Sequence, residues 1–486
     1  MRTMVAVLDK KGGNVAPKVI EVLEAINARS TLGFGIATTS VVTLQENVKG
    51  LRTQNLNSPI AVGFSKSKPL AVDEPELLRL EDATVVFEGR IYSPTSRTPI
   101  AAFVTKNMQR DYGEVAEALL KGIEGDFSLI IAKTEEIIAA RDPVGVQPLY
   151  YGEDEAVAAL ASNRKALWKL GIEEPRSFPP GHVAVVSREG FKFKPVKTIA
   201  YAKPKPITME EAAETVQKLL ERSVHGRVQG LKEVAVAFSG GLDSSLVAFL
   251  AKKCGVNVHL IHVSLENQPE TEEAWKAAEE LKLPLHIHLF KEADIEKIIS
   301  KVVELIEEPD PIKASIGLPF YWTAKKAAEA GFQVLLAGQG ADELFGGYQR
   351  YVNEYMLEGD EQVRKTMYND VVKIHESNIE RDEKICSFHD VELRLPFASY
   401  QIAKFALSLP TELKIEKKAD SLRKLVLRKA AENMGLSEAI AKNPKKAVQY
   451  STGISSALKK LAKKQKGTLA EYINELFQKQ KDLANL

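Results

Sequence analysis

The stretch Val234-Ala235-Val236-Ala237-Phe238-Ser239-Gly240-Gly241-Leu242-Asp243-Ser244-Ser245 decides how this 486-residue chain is read. A short apolar run ends at Phe238, three small residues turn the chain, and Asp243-Ser244-Ser245 open an apolar helical segment. Strand, glycine turn and helix N-terminus together present backbone N–H groups and the positive end of a helix dipole to phosphate. The loop lacks the Lys and following Ser or Thr that end the common GxxxxGK-type ATPase loop. Two hydroxyls and one carboxylate stand instead where phosphates would lie. That set suits pyrophosphate held as a leaving group, with the carboxylate anchoring Mg²⁺ through phosphate oxygens. The implied reaction cuts ATP between its α and β phosphates and leaves AMP on an activated acceptor.

Around this loop the pattern alternates strand and helix. Strands are expected at Val234–Phe238, Val256–Val263, Leu285–Phe290 and Phe332–Ala337, the signature of a parallel α/β sheet that binds ligands at the carboxyl ends of its strands. Beyond about Tyr351 the chain reads as mostly helical and ends in a Lys-rich amphipathic tail from Ile454, read as a solvated helix. Upstream, Tyr201-Ala202-Lys203-Pro204-Lys205-Pro206 looks like a linker, and Thr208 starts a helical run to about His225. The first part differs in kind. Short β segments are expected at Val5–Leu8, Phe34–Thr39, Ile60–Phe64, Thr84–Phe87, Phe127–Ala132, Ile137–Arg141, Leu149–Tyr151 and Val183–Val186, with helices only at Pro17–Ala28 and Tyr112–Gly122. Such a pattern suggests stacked antiparallel sheets.

A second glycine-rich stretch, Gly338-Gln339-Gly340-Ala341-Asp342-Glu343-Leu344-Phe345-Gly346-Gly347-Tyr348, follows the Phe332–Ala337 strand. Alone it could be a plain turn; one strand-end away from a phosphate loop, its Asp342 could share Mg²⁺ with Asp243. The two motifs together resemble the synthetase half of glutamine-dependent asparagine synthetases. Val391-Glu392-Leu393-Arg394-Leu395-Pro396-Phe397 is similar to that family's E-x-R-x-P-F segment, and Lys445-Lys446-Ala447-Val448-Gln449-Tyr450-Ser451-Thr452-Gly453 to its Lys-bearing loop. In the first half, Ala140-Arg141-Asp142-Pro143-Val144-Gly145-Val146-Gln147-Pro148-Leu149-Tyr150-Tyr151, Gly125-Asp126-Phe127 and Pro179-Pro180-Gly181-His182 fit as well.

The resemblance implies an α+β Ntn-type glutaminase-like domain over residues 1–200. It implies an α/β PP-loop ATP pyrophosphatase domain with a helical C-terminal part over 201–486. ATP would adenylate a side-chain carboxylate, aspartate in the family, and an amine would then displace AMP. Ser239, Gly240, Gly241, Asp243 and Ser244 would hold the pyrophosphate portion, with Mg²⁺ on Asp243 and Asp342. The main chains of Phe238, Val263, Ala337 and Gly338 would line adenine and ribose. Lys446 would stabilise charge on the acyl-adenylate, although Lys445 leaves that register open by one residue. Dimers are common in the family, but no stretch here marks an interface.

The departures are concentrated in the first domain. Active members begin Met-Cys-Gly, the Cys becoming the N-terminal nucleophile; this sequence begins Met1-Arg2-Thr3-Met4 and its first cysteine is Cys254. The family's N-G-E-I-Y-N is here Glu88-Gly89-Arg90-Ile91-Tyr92-Ser93, and its R-G-P-D-G turn is Arg29-Ser30-Thr31-Leu32-Gly33. A pocket for the zwitterionic end of glutamine would have its charges inverted. The expectation is a glutaminase fold with no glutaminase nucleophile, retained for structure or regulation. In the synthetase half, Gln339 replaces the Glu of many members; an amide positions an intermediate but takes no proton from ammonium. Ala398-Ser399 likewise stands where the family shows Leu-Asp. The reading is therefore a ligase using ATP, Mg²⁺, aspartate and ammonia. One rival is the same adenylation with another carboxylate or amine. A second is a nucleotide-binding regulatory pseudoenzyme, against which Ser239, Asp243, Asp342 and Lys446 are all present.

Bulk composition agrees. Lys and Arg number 66 against 65 Asp and Glu, so no global field favours nucleic acid. No apolar stretch approaches the length needed to span a bilayer, and a cytoplasmic enzyme is expected. Two isolated cysteines exclude a disulfide scaffold and zinc clusters, with Cys254 expected as a small buried side chain. His259, His262, His286 and His288 fall on two strands and read as structural. Glu307-Glu308-Pro309-Asp310 reads as a solvated helix end, or as the lining of an amine pocket.

Overall fold

The computed structural model describes residues 3–26, 31–66, 77–80, 82–93, 111–419, 422–443, 453–465 and 467–485. The chain divides into two compact units, Met1–Thr198 with Gln478–Leu486, and Ile199–Phe477.

The first unit stacks two antiparallel sheets. One holds β1 (Met4–Asp9), β2 (Gly33–Thr38), β3 (Val42–Gln45), β4 (Ile60–Lys66), β9 (Tyr150–Glu153), β10 (Val157–Ala161) and β11 (Arg176–Ser177), in the order β11-β9-β10-β1-β4-β2-β3. The other holds β5 (Leu77–Arg79), β6 (Thr84–Ser93), β7 (Glu124–Ala132), β8 (Ile137–Arg141), β12 (His182–Ser187) and β13 (Gly190–Pro195), in the order β13-β12-β8-β7-β6-β5. Alternate residues of a strand face opposite ways, and here both faces are covered. Met4, Ala6 and Leu8 of β1 join Ile130, Ala132 and Ala139 in the layer between the sheets. Val5 and Val7 pack outward against Val19 and Leu23 of helix Ala16–Ala25. Leu129 and Ile131 do the same beneath Val115 and Leu119 of helix Tyr112–Gly122. The result is the helix–sheet–sheet–helix layering of an Ntn-type domain.

All the expected β segments of this unit form. Strand β10, Val-Ala-Ala-Leu-Ala, escapes periodicity analysis because three of its five residues are alanine, a strong helix former. Small side chains suit a strand that lies between two covered faces. The Arg141-Asp142 turn is a buried polar knot. Arg141, with no exposed surface, donates to the carbonyls of Gln147, Phe178 and Gly145 at 2.7–2.9 Å. Asp142 accepts from the N–H groups of Val144, Gly145, Val146 and Gln147. That turn is thus a folding device, since both of its buried charged side chains are held by protein partners.

The second unit is built on a parallel sheet, β16-β15-β14-β17-β18, formed by β14 (Glu233–Ala237), β15 (Asn257–Leu265), β16 (Leu285–Phe290), β17 (Val334–Leu336) and β18 (Glu392–Arg394). β18 lies within the E-x-R-x-P-F segment and was not expected as a strand; three residues carry too little periodicity to show it. Thr208 caps the helix Met209–Val228 in a capping box with Glu211, which fixes where the linker ends. The Lys-rich tail forms helices Ile454–Lys464 and Leu469–Asn485, the former burying Ile454, Leu458 and Leu461. It is therefore packed on one face rather than solvated all round. Cys254 departs from expectation: it is exposed at the end of helix Leu242–Lys253. No helix among the described residues is long and apolar enough to cross a membrane.

Candidate active site

Strand β14 delivers Phe238 and Ser239 to the carboxyl edge of the sheet, where Phe238 N–H still donates to Ile261 at 2.9 Å. Gly240 then adopts φ +74°, and a Cβ there would lie 2.7 Å from the Cα of Ala274, so only glycine lets the loop pass the helix Glu270–Leu281. Gly241 is the N-cap of helix Leu242–Lys253, with no side chain capping it. Its first N–H groups are therefore available to a ligand. The Ser239 and Ser244 hydroxyls stand 3.2 Å apart, and Ser239 Oγ accepts from Gly241 N–H at 3.3 Å. These bonds orient both hydroxyls along the loop.

The second loop closes on the first. A Cβ on Gly338 would lie 2.9 Å from Asp243 Cβ, so the two motifs touch through a glycine. Gly340 and Gly346, at φ +97° and +75°, frame the short helix Ala341–Phe345 that carries Asp342 and Glu343. Together the loops wall a cavity of about 250 Å³. Phe238, Ser239, Asp243, Ser244, Val263, Ala337, Gly338, Gln339 and Asp342 all line it. Gly240 and Gly241 shape the adjoining turn. Lys446, with Lys445 and most of the loop to Thr452, lies outside the described residues.

The cavity also gathers groups that sequence reasoning missed. Lys424, 2% exposed, places Nζ 2.7 and 2.6 Å from the two Asp243 oxygens and 2.7 Å from Asp342 Oδ1. A signal for it existed: a cation at the N-terminus of a helix (Leu425–Met434) opposes the dipole and needs acids nearby to be tolerated. Glu343, 4% exposed, accepts from Tyr348 Oη at 2.6 Å and Asn378 Nδ2 at 2.8 Å. Burial, reinforced by the Asp342 charge, pushes its carboxyl above the ordinary range. Gln339 donates its amide to Asp382 at 2.9 Å, and Arg381 grips the same carboxylate at 2.7 and 3.0 Å. Burial pushes Asp382 upward too. Arg381, Asn378, Glu343 and Tyr348 line the same cavity as the phosphate loop. Asn378 sits within, and Arg381 just after, a single π-helical turn, His375–Ile379, a local irregularity frequent at functional sites.

The remaining candidates are structural. His262 donates from Nδ1 to Phe238 O at 3.0 Å and reaches Thr271 Oγ1 at 3.3 Å, bracing the loop. His259 and His286 contact one another at 3.1 Å, and no metal-holding cluster of His, Cys, Asp and Glu occurs among the described residues. The acidic run follows a helix end and is only partly solvated: buried Glu307 pairs with Lys384 at 3.1 Å, while half-buried Asp310 caps the helix Pro311–Glu329. In the first unit, Thr3 is buried and locked to Ser65 by 2.9 Å bonds in both directions. Glu88 and Arg90 lie on β6, beside Ser128 and Asp126 of β7; Arg29 and Ser30 lie outside the described residues.

The donor set fits a divalent cation: two carboxylates from separate loops already converge on one positive charge, and hard oxygen ligands are what Mg²⁺ requires.

A family model described as "Asparagine synthase" matches residues 215–358 and 352–484, and one described as "Glutamine amidotransferase domain" matches residues 77–169. A Methanocaldococcus jannaschii protein named for glutamine-hydrolyzing asparagine synthetase is 33% identical over 408 residues, 74% of this chain and 75% of that one. Asparagine synthetases of Triphysaria versicolor and Arabidopsis thaliana are 28% and 27% identical over 390 and 385 residues, 74% of this chain in each case. The matches span 64% and 65% of those two relatives.

Proposed function

The chain belongs to the asparagine synthetase family, and from that premise we propose that it makes asparagine from aspartate and ammonia, cleaving ATP to AMP and pyrophosphate. The observation that carries the reading is the convergence of the Ser239–Ser244 loop, Asp243 and Asp342 on one cavity also lined by Arg381 and Asn378.

In this reading the uncapped N-terminus at Gly241 and the Ser239 and Ser244 hydroxyls bind the β and γ phosphates. Asp243 and Asp342 would hold Mg²⁺, which neutralises phosphate charge. The aspartate side-chain carboxylate attacks the α-phosphorus, the α–β bridging bond breaks and pyrophosphate leaves. Ammonia then attacks the acyl carbon, the acyl–oxygen bond breaks and AMP departs, with one proton lost from nitrogen. Gln339 is tied to Asp382 and cannot take that proton. Glu343 is a buried carboxylate on the cavity wall, its pKa raised by burial, and is the group we assign to take it. Lys446 would meet the developing charge at the adenylate.

The first unit then serves as a glutaminase-type domain without glutaminase chemistry. No cysteine stands before Cys254, and Thr3 is engaged through its backbone with Ser65. A second reading keeps adenylation but changes acceptor or amine, and the Gln339–Asp382 bond favours it by occupying the position of the family's acid. ATP–pyrophosphate exchange tests the proposal: exchange that requires aspartate supports it. Exchange with a different carboxylate moves the acceptor, and none with any carboxylate points to a nucleotide-binding regulator.

A further inference from the structure

Asp243 and Asp342 arrive from different loops, and their carboxylates share one cation, the Lys424 ammonium, at 2.6–2.7 Å. Lys424 is 2% exposed at its side chain and the two acids 15% and 16%. Three features show that this triad is built rather than incidental. Lys424 has φ +62°, a backbone region that a long side chain enters only when its surroundings hold it there. It stands at the N-terminus of helix Leu425–Met434, the end that disfavours positive charge. Gly347 is the one residue type that leaves room, because a Cβ there would overlap both Asp342 Oδ1 and Lys424 Cε. The neighbouring backbone is pinned as well: Leu425 N–H donates to Lys414 at 2.9 Å, and the Arg423 guanidinium to Gly347 O at 2.9 Å.

We propose that Lys424 is a resident cation that keeps the two metal-binding carboxylates together until nucleotide arrives, so that divalent metal and nucleotide bind as a pair. The inference rests on the reading of this cavity as an ATP site. Two carboxylates carry two negative charges, and the ammonium cancels one of them. A divalent ion arriving alone must displace or crowd that ammonium. An ion arriving with a triphosphate brings oxygens that receive the ammonium while the carboxylates receive the metal. Lys424 then places its charge on the pyrophosphate that departs. Metal and nucleotide strengthen one another's binding by the same factor, as linkage requires.

The test is Mn²⁺ binding to the full-length protein, followed by electron paramagnetic resonance of the free ion, with and without α,β-methylene-ATP. For the wild-type protein the analogue is expected to tighten Mn²⁺ binding by at least about tenfold; equal affinities would overturn the proposal. Lys424→Met without nucleotide is expected to bind Mn²⁺ at least about tenfold more tightly than wild type, with a smaller response to the analogue. Equal or weaker binding would overturn it. Lys424→Met with Asp342→Asn removes one charge of each sign and is expected to fold and to lose the gain; a gain that persists would place the metal elsewhere. None of these readouts needs turnover. A protein that forms no asparagine can still pass, and one that binds no analogue fails the ATP-site reading instead.

Discussion

Gly240→Ala is the sharpest perturbation of the phosphate loop, and its cost divides into two parts. The first is conformational: at φ +74° a non-glycine residue costs about 1–2 kcal/mol. The second is steric, since the new Cβ would stand 2.7 Å from Ala274 Cα, 2.9 Å from Ala274 N and 3.1 Å from Glu273 C. All three are backbone atoms, so no rotamer change relieves them, and overpacking of this kind costs roughly a further 1–3 kcal/mol. Gly255 and Gly331 supply the control. They have φ +81° and +89°, and a Cβ at either meets nothing within 4 Å. Gly255→Ala and Gly331→Ala therefore carry the first part alone. In urea denaturation the controls should lose about 1–2 kcal/mol and Gly240→Ala about 2–5 kcal/mol. ATP–pyrophosphate exchange should survive in the controls and fall at least about tenfold in Gly240→Ala, since moving the loop misplaces Ser239 and Ser244. Equal losses of stability for all three variants, or full exchange activity in Gly240→Ala, would refute the claim that the close pass of the helix sets the loop.

Gln339→Glu replaces a donor to Asp382 with a second carboxylate. Because burial already raises the Asp382 pKa, stability from that carboxyl is full at low pH and is lost as pH rises through its folded value. The variant should therefore fall further below wild type as pH rises, by about 1–3 kcal/mol once both carboxyls are ionised; a pH-independent difference in urea denaturation would contradict this. Lys414, 3% exposed, has its pKa lowered to about 7 by burial, with Arg364 adding to the shift. Between about pH 7 and 10.5 the unfolded chain holds a proton there that the folded chain lacks, so stability climbs with pH across that window. Lys414→Met should flatten the climb and stabilise the protein at pH 7 by up to about 4 kcal/mol, read from denaturation midpoints at pH 7 and 10.

Much of the architecture was legible because the chain obeys simple periods. The strands of the first unit alternate between two buried layers, and the strand–helix alternation after Val234 could form little except a parallel sheet. The phosphate loop was legible for a related reason, since glycines with forced geometry cluster in sequence. What escaped was short or non-local. β10 hides behind alanine, and β18 is three residues long. Lys424 is 181 residues from Asp243, and only the folded chain shows that they meet. Glu343 was quoted within its motif but passed over, because burial rather than residue type raises its pKa. Cys254 went the other way: a cysteine at a helix end reads as buried, yet the helix terminates at the surface.

The central claim is that this chain forms an amide from ammonia at the Asp243–Asp342 site while its first unit hydrolyses no glutamine. Incubating the purified protein with ATP, Mg²⁺ and aspartate, and supplying either ammonium or glutamine, tests both halves at once. The account predicts asparagine and pyrophosphate in equal amounts with ammonium, and neither asparagine nor free glutamate with glutamine. Glutamate released from glutamine would contradict the inactive first domain, and ammonium-fed reactions without pyrophosphate would contradict the synthetase.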